Sequence, residues 1–378
     1  MLALDNPIRG YAWGSHTVIA HLQGRPTPTE EPEAELWIGA HPSAPSRLPD
    51  GSSLADVIAA APERVLGAPT VARFGPRLPF LLKVLAAAEP LSLQAHPTLA
   101  QARAGFAAGD PNYVDANHKP ELLVAIEPMA ALCGFRDPLV SADRIAALAI
   151  PDLAPVVALL RRGDLREAVG TLLSWPEDQR HELIGTVAKG ARLLPGPDAD
   201  VVELLAAKYP QDLGVLVSLL LNHVTLQPGE AIWMPAGNLH AYLHGAGVEI
   251  MAASDNVLRG GLTPKRVDVA ELLRVVRFEV LDSPLFPAVE SEPGQAVWAV
   301  PVPDFALHRI AVAGDPVTLT VAGPRTLLCL GGTVTVADDA GSVTLTGGRA
   351  AFSGAADGDL HVTGDGDLYL ATVGALTE

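Results

Sequence analysis

Cysteine is nearly missing: only Cys133 and Cys329 occur in 378 residues, far apart and in apolar surroundings. That excludes a disulfide-stapled framework and predicts two buried free thiols in a reducing compartment. It also leaves nitrogen and oxygen as the only donors for a metal site. Lysine is scarce too. Of 26 basic residues only five are lysine, namely Lys83, Lys119, Lys189, Lys208 and Lys265. Where arginine serves as the general surface cation, a retained lysine is a candidate for a role that needs an ammonium. Positive charge is in deficit overall, 26 basic against 43 acidic residues for a net charge of −17. This argues against nucleic acid and anionic membranes as partners. No apolar run approaches the roughly 18 residues of a membrane span; the longest candidate, residues 213–221, carries Ser218. The start, Met1-Leu-Ala-Leu-Asp-Asn-Pro7, has no basic segment followed by an apolar one. No signal peptide is read there, and a cytoplasmic location is expected.

What is present is a chain that can bury large cores, 49% hydrophobic and only 18% charged, and long enough for two or three domains. Up to about residue 135, proline, glycine and short apolar alternations such as Glu35-Leu-Trp-Ile-Gly39 and Phe80-Leu-Leu-Lys-Val-Leu85 have the texture of strands and turns. Two short helices are predicted, over residues 53–65 and 98–107, opening on Ser53 and Thr98 as caps. Between about residues 141 and 221 apolar residues recur at helical spacing, broken at Pro151, Gly163-Asp164, Pro176 and Pro195-Gly-Pro197. Strand texture returns at Val224 and runs to about Ile250. Residues 263–276 then read as one helix with Thr263 as cap and Pro264 in its first turn. From Phe278 onward the chain is all-β in texture. A weak repeat links Thr225-Leu-Gln-Pro-Gly-Glu-Ala-Ile-Trp233 to Thr344-Leu-Thr-Gly-Gly-Arg-Ala-Ala-Phe352, each with a Leu-His pair downstream. It predicts two related β-barrel modules, the second without most of the polar set, so that His361 is incidental.

Three polar clusters lie on strand-like segments. In Leu91-Ser-Leu-Gln-Ala-His96, strand periodicity puts Leu91, Leu93 and Ala95 on one face and Ser92, Gln94 and His96 on the other. In Asn117-His-Lys-Pro-Glu121, Pro120 forces Lys119 into extended backbone, so Lys119 and Glu121 share a face. In Leu239-His-Ala-Tyr-Leu-His244, His240, Tyr242 and His244 alternate onto one face. Glutamine, glutamate and histidine together offer neutral and anionic oxygen with imidazole nitrogen, a set suited to zinc with a position left open. One carboxylate against a divalent ion leaves the centre positive, a Lewis acid. A fourth cluster, Arg259-Gly-Gly-Leu-Thr-Pro-Lys265-Arg266, puts cations where a helix start normally prefers acids; an anion bound there would resolve the conflict.

These residues resemble a known family, the type I mannose-6-phosphate isomerases, zinc enzymes of the cupin fold. The resemblance is carried by Tyr11-Ala-Trp-Gly-Ser15, Glu35-Leu-Trp-Ile-Gly-Ala-His-Pro42, Leu78-Pro-Phe-Leu-Leu-Lys83, Ser92-Leu-Gln-Ala-His-Pro97, Asn117-His-Lys-Pro-Glu121, Pro235-Ala-Gly-Asn-Leu-His-Ala-Tyr242 and Ala252-Ala-Ser-Asp-Asn-Val-Leu-Arg-Gly-Gly-Leu-Thr-Pro-Lys265. It implies a mainly β architecture: a cupin jelly-roll catalytic domain (1–135 with 222–280), an α-helical insertion domain (136–221) and a C-terminal degenerate cupin-like β domain (281–378). It implies one zinc ion per chain on Gln94, His96, Glu121 and His240. Lys119, His118, Glu249 and Arg259 would serve catalysis, and Ser92, Lys83, Lys265, Tyr242 and Trp13 substrate or phosphate binding. The implied reaction interconverts mannose 6-phosphate and fructose 6-phosphate through a cis-enediol, in a monomer or weak homo-oligomer whose partner is a phosphorylated hexose. Two other classes compete: a cupin iron dioxygenase, which would favour more histidines, and a non-catalytic sugar-binding cupin, which would not need Lys119 beside Glu121 together with Arg259.

Overall fold

The structure, a computed structural model, describes residues 1–375. Its centre is a ten-stranded antiparallel system folded into a barrel around the His240–Ala252 strand. The first part of that strand pairs with Leu93–Ala95 and Met129–Phe135, and the remainder with Phe80–Ala87 and Glu121–Ala125. The strand thus passes from one wall of the barrel to the other. It turns at Gly245, where φ is +114°. A Cβ there would run into the Pro128 carbonyl and lie 2.7 Å from Met129 Cα, so only glycine fits. A register shift between Tyr242 and His244 accompanies the turn and swings His244 out to solvent. His240, Tyr242 and His244 therefore do not share one face, contrary to strict alternation, because a bulge resets the period.

Each wall has a different outer cover. Leu93, Ala95, Leu132, Ala241, Leu243 and Leu258 pack against the helical region, and Leu82, Val84, Leu122, Val124, Val248 and Ile250 against Phe305, Phe352 and Tyr369 of the C-terminal β region. Both faces of the central strands are buried, which is why Phe80-Leu-Leu-Lys-Val-Leu-Ala-Ala87 reads as a nearly unbroken apolar run. Leu91 departs from the expected pattern. Only Leu93–Ala95 is strand, and Leu91, just after Pro90, packs with Leu85, Met129 and Tyr242 on the inside.

The helical insertion consists of Pro138–Ala147, Ala154–Arg161, Leu165–Leu173, Glu177–Gly190, Asp198–Lys208 and Gly214–Ser218, with breaks near the predicted prolines and glycines. Ser53 and Thr98 both form capping boxes, with Asp56 and Gln101. The first helix stops at Ala60, and Pro62 opens a separate turn. The helix expected over residues 263–276 is shorter, Val269–Val275, and its cap is Asp268, which accepts from Glu271 N at 3.1 Å. Thr263 is taken up elsewhere: its N–H is held by Asp212 at 3.0 Å and its hydroxyl accepts from Lys265 N at 3.2 Å. Lys265 and Arg266 therefore precede the helix as exposed loop residues, and the conflict with the helix dipole disappears.

The C-terminal sheet repeats the local plan of the barrel. Two short successive strands, Leu221–Leu226 and Ala231–Met234, followed by the 13-residue His240–Ala252, correspond to Gly341–Thr346, Ala350–Ser353 and the 13-residue Leu360–Thr372. His361 is exposed beside Thr318, outside any donor cluster. The chain's first strand, Leu2–Leu4, joins this far sheet by pairing with Ala350–Ser353.

Helices and barrel are tied by a buried charge cluster. Asp198 accepts from Arg136 at 2.6 and 3.1 Å, contacts Arg144, and lies 2.7 Å from His223 Nδ1. Burial alone would raise this carboxyl, but His223 and Arg136 outweigh it and hold it well below the usual range. Asp198→Asn is expected to lower stability by about 3 kcal/mol near neutral pH, because two guanidiniums lose their counter-charge. A depressed carboxyl stabilises fully above about pH 4 and loses that contribution as pH falls through its folded value. The gap between wild type and variant in denaturant midpoint should therefore close in acid; an unchanged midpoint at pH 7 refutes the tie.

Candidate metal centre and active site

Inside the barrel, strand register sets three polar side chains in a row. Gln94 is the register partner of His240 on one side and of Arg259 on the other. Glu121, opposite Met251 and Met234 in the neighbouring wall, reaches the same point. Its Oε2 lies 3.3 Å from His96 Nε2 and 3.1 Å from His240 Nε2, and its Oε1 accepts from Lys119 Nζ at 2.9 Å. The Gln94 amide is 3.5 Å from His240 Nε2, and a half-turn of the amide presents its oxygen there instead. The other ring nitrogens are fixed by main-chain carbonyls, His96 Nδ1 by Asn256 O at 2.7 Å and His240 Nδ1 by Asn238 O at 3.1 Å. With Nδ1 donating, each histidine offers Nε2 as a lone-pair donor toward Glu121.

This set fits a metal ion. One donor atom each from His96, Glu121 and His240 lie within 4.8 Å of one another, and all three residues are buried. Two of these atoms, His96 Nε2 and Glu121 Oε2, have no hydrogen-bond partner. Orphaned buried atoms are costly unless something else satisfies them. Burial pulls the His96 imidazole down to about 4, so it is neutral and competent to ligate. Burial would raise the Glu121 carboxyl, but Lys119 and then His96 outweigh it and keep it ionised, well below its usual value. Neither thiol belongs to the set: Cys133 and Cys329 are buried, and burial pushes both up to about 11.

The facing wall carries a second charged system. Lys83 Nζ lies 3.3 Å from Glu249 Oε2 and 3.4 Å from Glu35 Oε1, above the Trp37 ring. Glu35 Oε2 accepts from Trp37 Nε1 at 2.7 Å, and Glu249 Oε1 from the Tyr242 hydroxyl at 2.7 Å. Burial works against the ammonium, yet Glu35 and Glu249 overcome it and raise Lys83 above its ordinary value. Burial raises the Glu249 carboxyl, with Lys83 opposing. At the mouth, His41 Nε2 pairs with Asp255 at 3.2 Å, and His118 Nε2 with the Asp304 carboxylate at 3.0 Å.

Of the expected residues, Gln94, His96, Glu121, His240 and Lys119 converge on one point, with Lys83, Glu249 and Tyr242 opposite. Arg259 is half-buried and, among the described residues, has no charged or hydrogen-bonding partner. Ser92 is half-buried just ahead of the Leu93–Ala95 strand, and Trp13 stacks on Tyr11 and packs beside Tyr242. Lys265 stands apart from the cluster. It opens onto a cleft of about 810 Å³ on the helical side of Gly260 and Gly261, whose lining includes none of His96, Glu121 or His240. Glu35, Asn256 and Asp304 were not singled out from the sequence. Glu35 had a usable signal, an acid inside an apolar strand that predicts a buried cation nearby; Asn256 had only its place inside a motif of the resemblance, and Asp304 had none.

Comparisons with known proteins agree with this geometry. Residues 1–138 match the family model for the catalytic domain of type I phosphomannose isomerase. The mannose-6-phosphate isomerases of Shigella flexneri and Escherichia coli are each 36% identical over 97% of this chain and 98% of theirs. That of Rattus norvegicus is 32% identical over 92% of both chains. Crystal structures of point variants of phosphomannose isomerase from Salmonella typhimurium superpose with a TM-score of 0.93 at 34% identity, covering 99% of this chain and 100% of theirs. A mannose 6-phosphate isomerase bound with zinc and yttrium superposes at 0.92 with 35% identity. These relatives lend nothing to the oxygenase and storage readings. No helix of the described residues is long and apolar enough to cross a membrane. Buried histidine and glutamate donors in a cupin barrel, and relatives matched over nearly their whole length, give the same answer: the chain belongs to the type I mannose-6-phosphate isomerase family.

Proposed function

We propose that the chain interconverts mannose 6-phosphate and fructose 6-phosphate through a cis-enediol, with one zinc ion per chain on Gln94, His96, Glu121 and His240. The observation that carries this reading is the pair of buried, orphaned donor atoms on His96 and Glu121 facing His240. When bound, the metal supplies Lewis-acid stabilisation of charge developing on substrate oxygens. The chain supplies the rest. Lys119, held by Glu121 Oε1, stands where a proton passes between C1 and C2. His118, oriented by Asp304 through Nε2, keeps Nδ1 for the ring oxygen during ring opening. Both Glu249 oxygens are engaged, by Lys83 and Tyr242, so Glu249 serves better as a fixed charge that aims Lys83 than as a mobile base. Arg259, with Ser92 and Lys265 further out, meets the anionic substrate. We assign catalysis to 1–135 with 222–280, and cover for the barrel to 136–221 and 281–378.

Stripping the metal with a chelator is expected to lower the rate at which mannose 6-phosphate yields fructose 6-phosphate in a coupled assay by at least about 100-fold. Added zinc should restore it. His96→Ala should behave as the stripped protein does, whatever the zinc concentration. Absence of turnover in the wild type at one bound zinc per chain refutes the assignment.

A further inference from the structure

Asn256 is fully buried at the end of the His240–Ala252 strand's exit loop, and every polar group it owns is used. Its backbone carbonyl accepts from His96 Nδ1 at 2.7 Å and so fixes the ring that offers Nε2 to the cluster. Its side chain turns the other way, onto the segment that leads into His118 and Lys119. Nδ2 donates to Asp115 O at 2.8 Å and to Asn117 O at 2.9 Å, and Oδ1 accepts from Val114 N at 2.8 Å. Ser254, also buried, adds to the same clamp: its hydroxyl meets the Asp115 carboxylate at 3.0 Å and Asn117 O at 3.1 Å. One residue therefore holds a candidate metal ligand by its main chain and the approach to Lys119 by its side chain.

We propose that Asn256 is a positioning residue that sets the His118–Lys119 segment against His96, so that the proton-transfer groups and the metal ligands keep a common frame. The inference rests on the isomerase reading for its catalytic consequence but not for the clamp itself. Only an amide fits the side-chain role, since it must donate to two carbonyls and accept from one N–H at once. Asn256→Asp keeps the shape and leaves the carbonyl to His96 in place, yet aims a carboxylate oxygen at two carbonyls and the Asp115 carboxylate. Residues that orient a site in this way are worth about 10–100-fold when changed.

The expected result for Asn256→Asp is a fall in kcat of about 10–100-fold, with KM for mannose 6-phosphate and zinc affinity (by chelator competition) each within about threefold. Hydrogen exchange at the Val114 and Asn117 amides should rise at least about tenfold as the segment is released. Asn256→Ala, which deletes the amide without adding charge, should shift both readouts the same way but less. Asn222→Asp is the control. That amide also spans several carbonyls, including Leu281 O at 2.9 Å, none of them in the segment 114–119. Unchanged exchange at residues 114–117 overturns the clamp, whether or not the protein isomerises this sugar. So does a rise in exchange with no loss of kcat, a kcat loss that merely tracks lost zinc, or an equal kcat loss in the Asn222→Asp control.

Discussion

Glu121→Gln is expected to reduce kcat/KM by at least about 10³-fold, a barrier increase of about 4 kcal/mol, and to leave zinc well below one per chain. The amide has the volume of the carboxylate, so packing alone predicts little. Charge predicts a great deal. In the cluster of His96, Glu121 and His240, Glu121 is the only anion. It faces two imidazoles through Oε2 and the Lys119 ammonium through Oε1. Losing the charge removes the anionic ligand of the ion and strands a buried lysine at the same time. Breaking a buried pair from one side costs about 3–5 kcal/mol, so the metal-free variant should also unfold at lower denaturant than metal-free wild type. The stability loss separates this residue from His96, whose removal deletes a donor without stranding a cation. Metal content by mass spectrometry, turnover and a denaturant midpoint together decide the matter. Full zinc occupancy with kcat/KM within about tenfold of wild type would show that Glu121 is not a metal ligand.

The cluster was legible in the sequence because a strand converts spacing into direction. Period-two reading puts Gln94 with His96 on one face of their own segment; that Gln94 faces His240 across the register followed from the family resemblance rather than from spacing. What spacing cannot recover is any place where tertiary contacts override the period. His244 left the face because Gly245 turns the strand from one wall to the other. Leu91 changed sides because the strand begins only at Leu93. The helix expected from Thr263 starts six residues later at Val269, because Asp212, far away in sequence, claims the Thr263 N–H. Asn256 is the sharpest case. Its importance lies in partners 139–160 positions away in sequence, so its place in a family motif gives no hint of the clamp. The helical insertion was read with more success because its cover of the barrel depends on amphipathic spacing, which is local.

Arg259 should differ from Glu121 in stability alone: a large loss of activity with no loss of stability. Its strand neighbour in register is Gln94, so its side chain belongs to the row that contains His240. Among the described residues it has no carboxylate or hydrogen-bond partner, and burial alone pulls its guanidinium below the usual arginine value. An unpaired, half-buried cation opposes folding, whereas in a protein of net charge −17 it is well placed to receive an anionic substrate. Folding would be served by an apolar residue here; the guanidinium is served only by a ligand that is absent from the free protein. Arg259→Ala is therefore expected to lower kcat/KM by about 10²–10³-fold, the range for removing a preorganised donor at developing charge. Its melting temperature should equal or exceed that of the wild type, as when a functional cation is traded for stability. Arg259→Lys should recover only part of the rate, because an ammonium keeps the charge but lacks the planar fork that grips two oxygens. If the loss falls on KM alone, Arg259 holds substrate and transition state equally; if it falls on kcat, it acts on charge that develops during enolisation. A melting temperature lower by more than about 5 °C would instead mark Arg259 as part of the fold, with an internal partner that outweighs its burial.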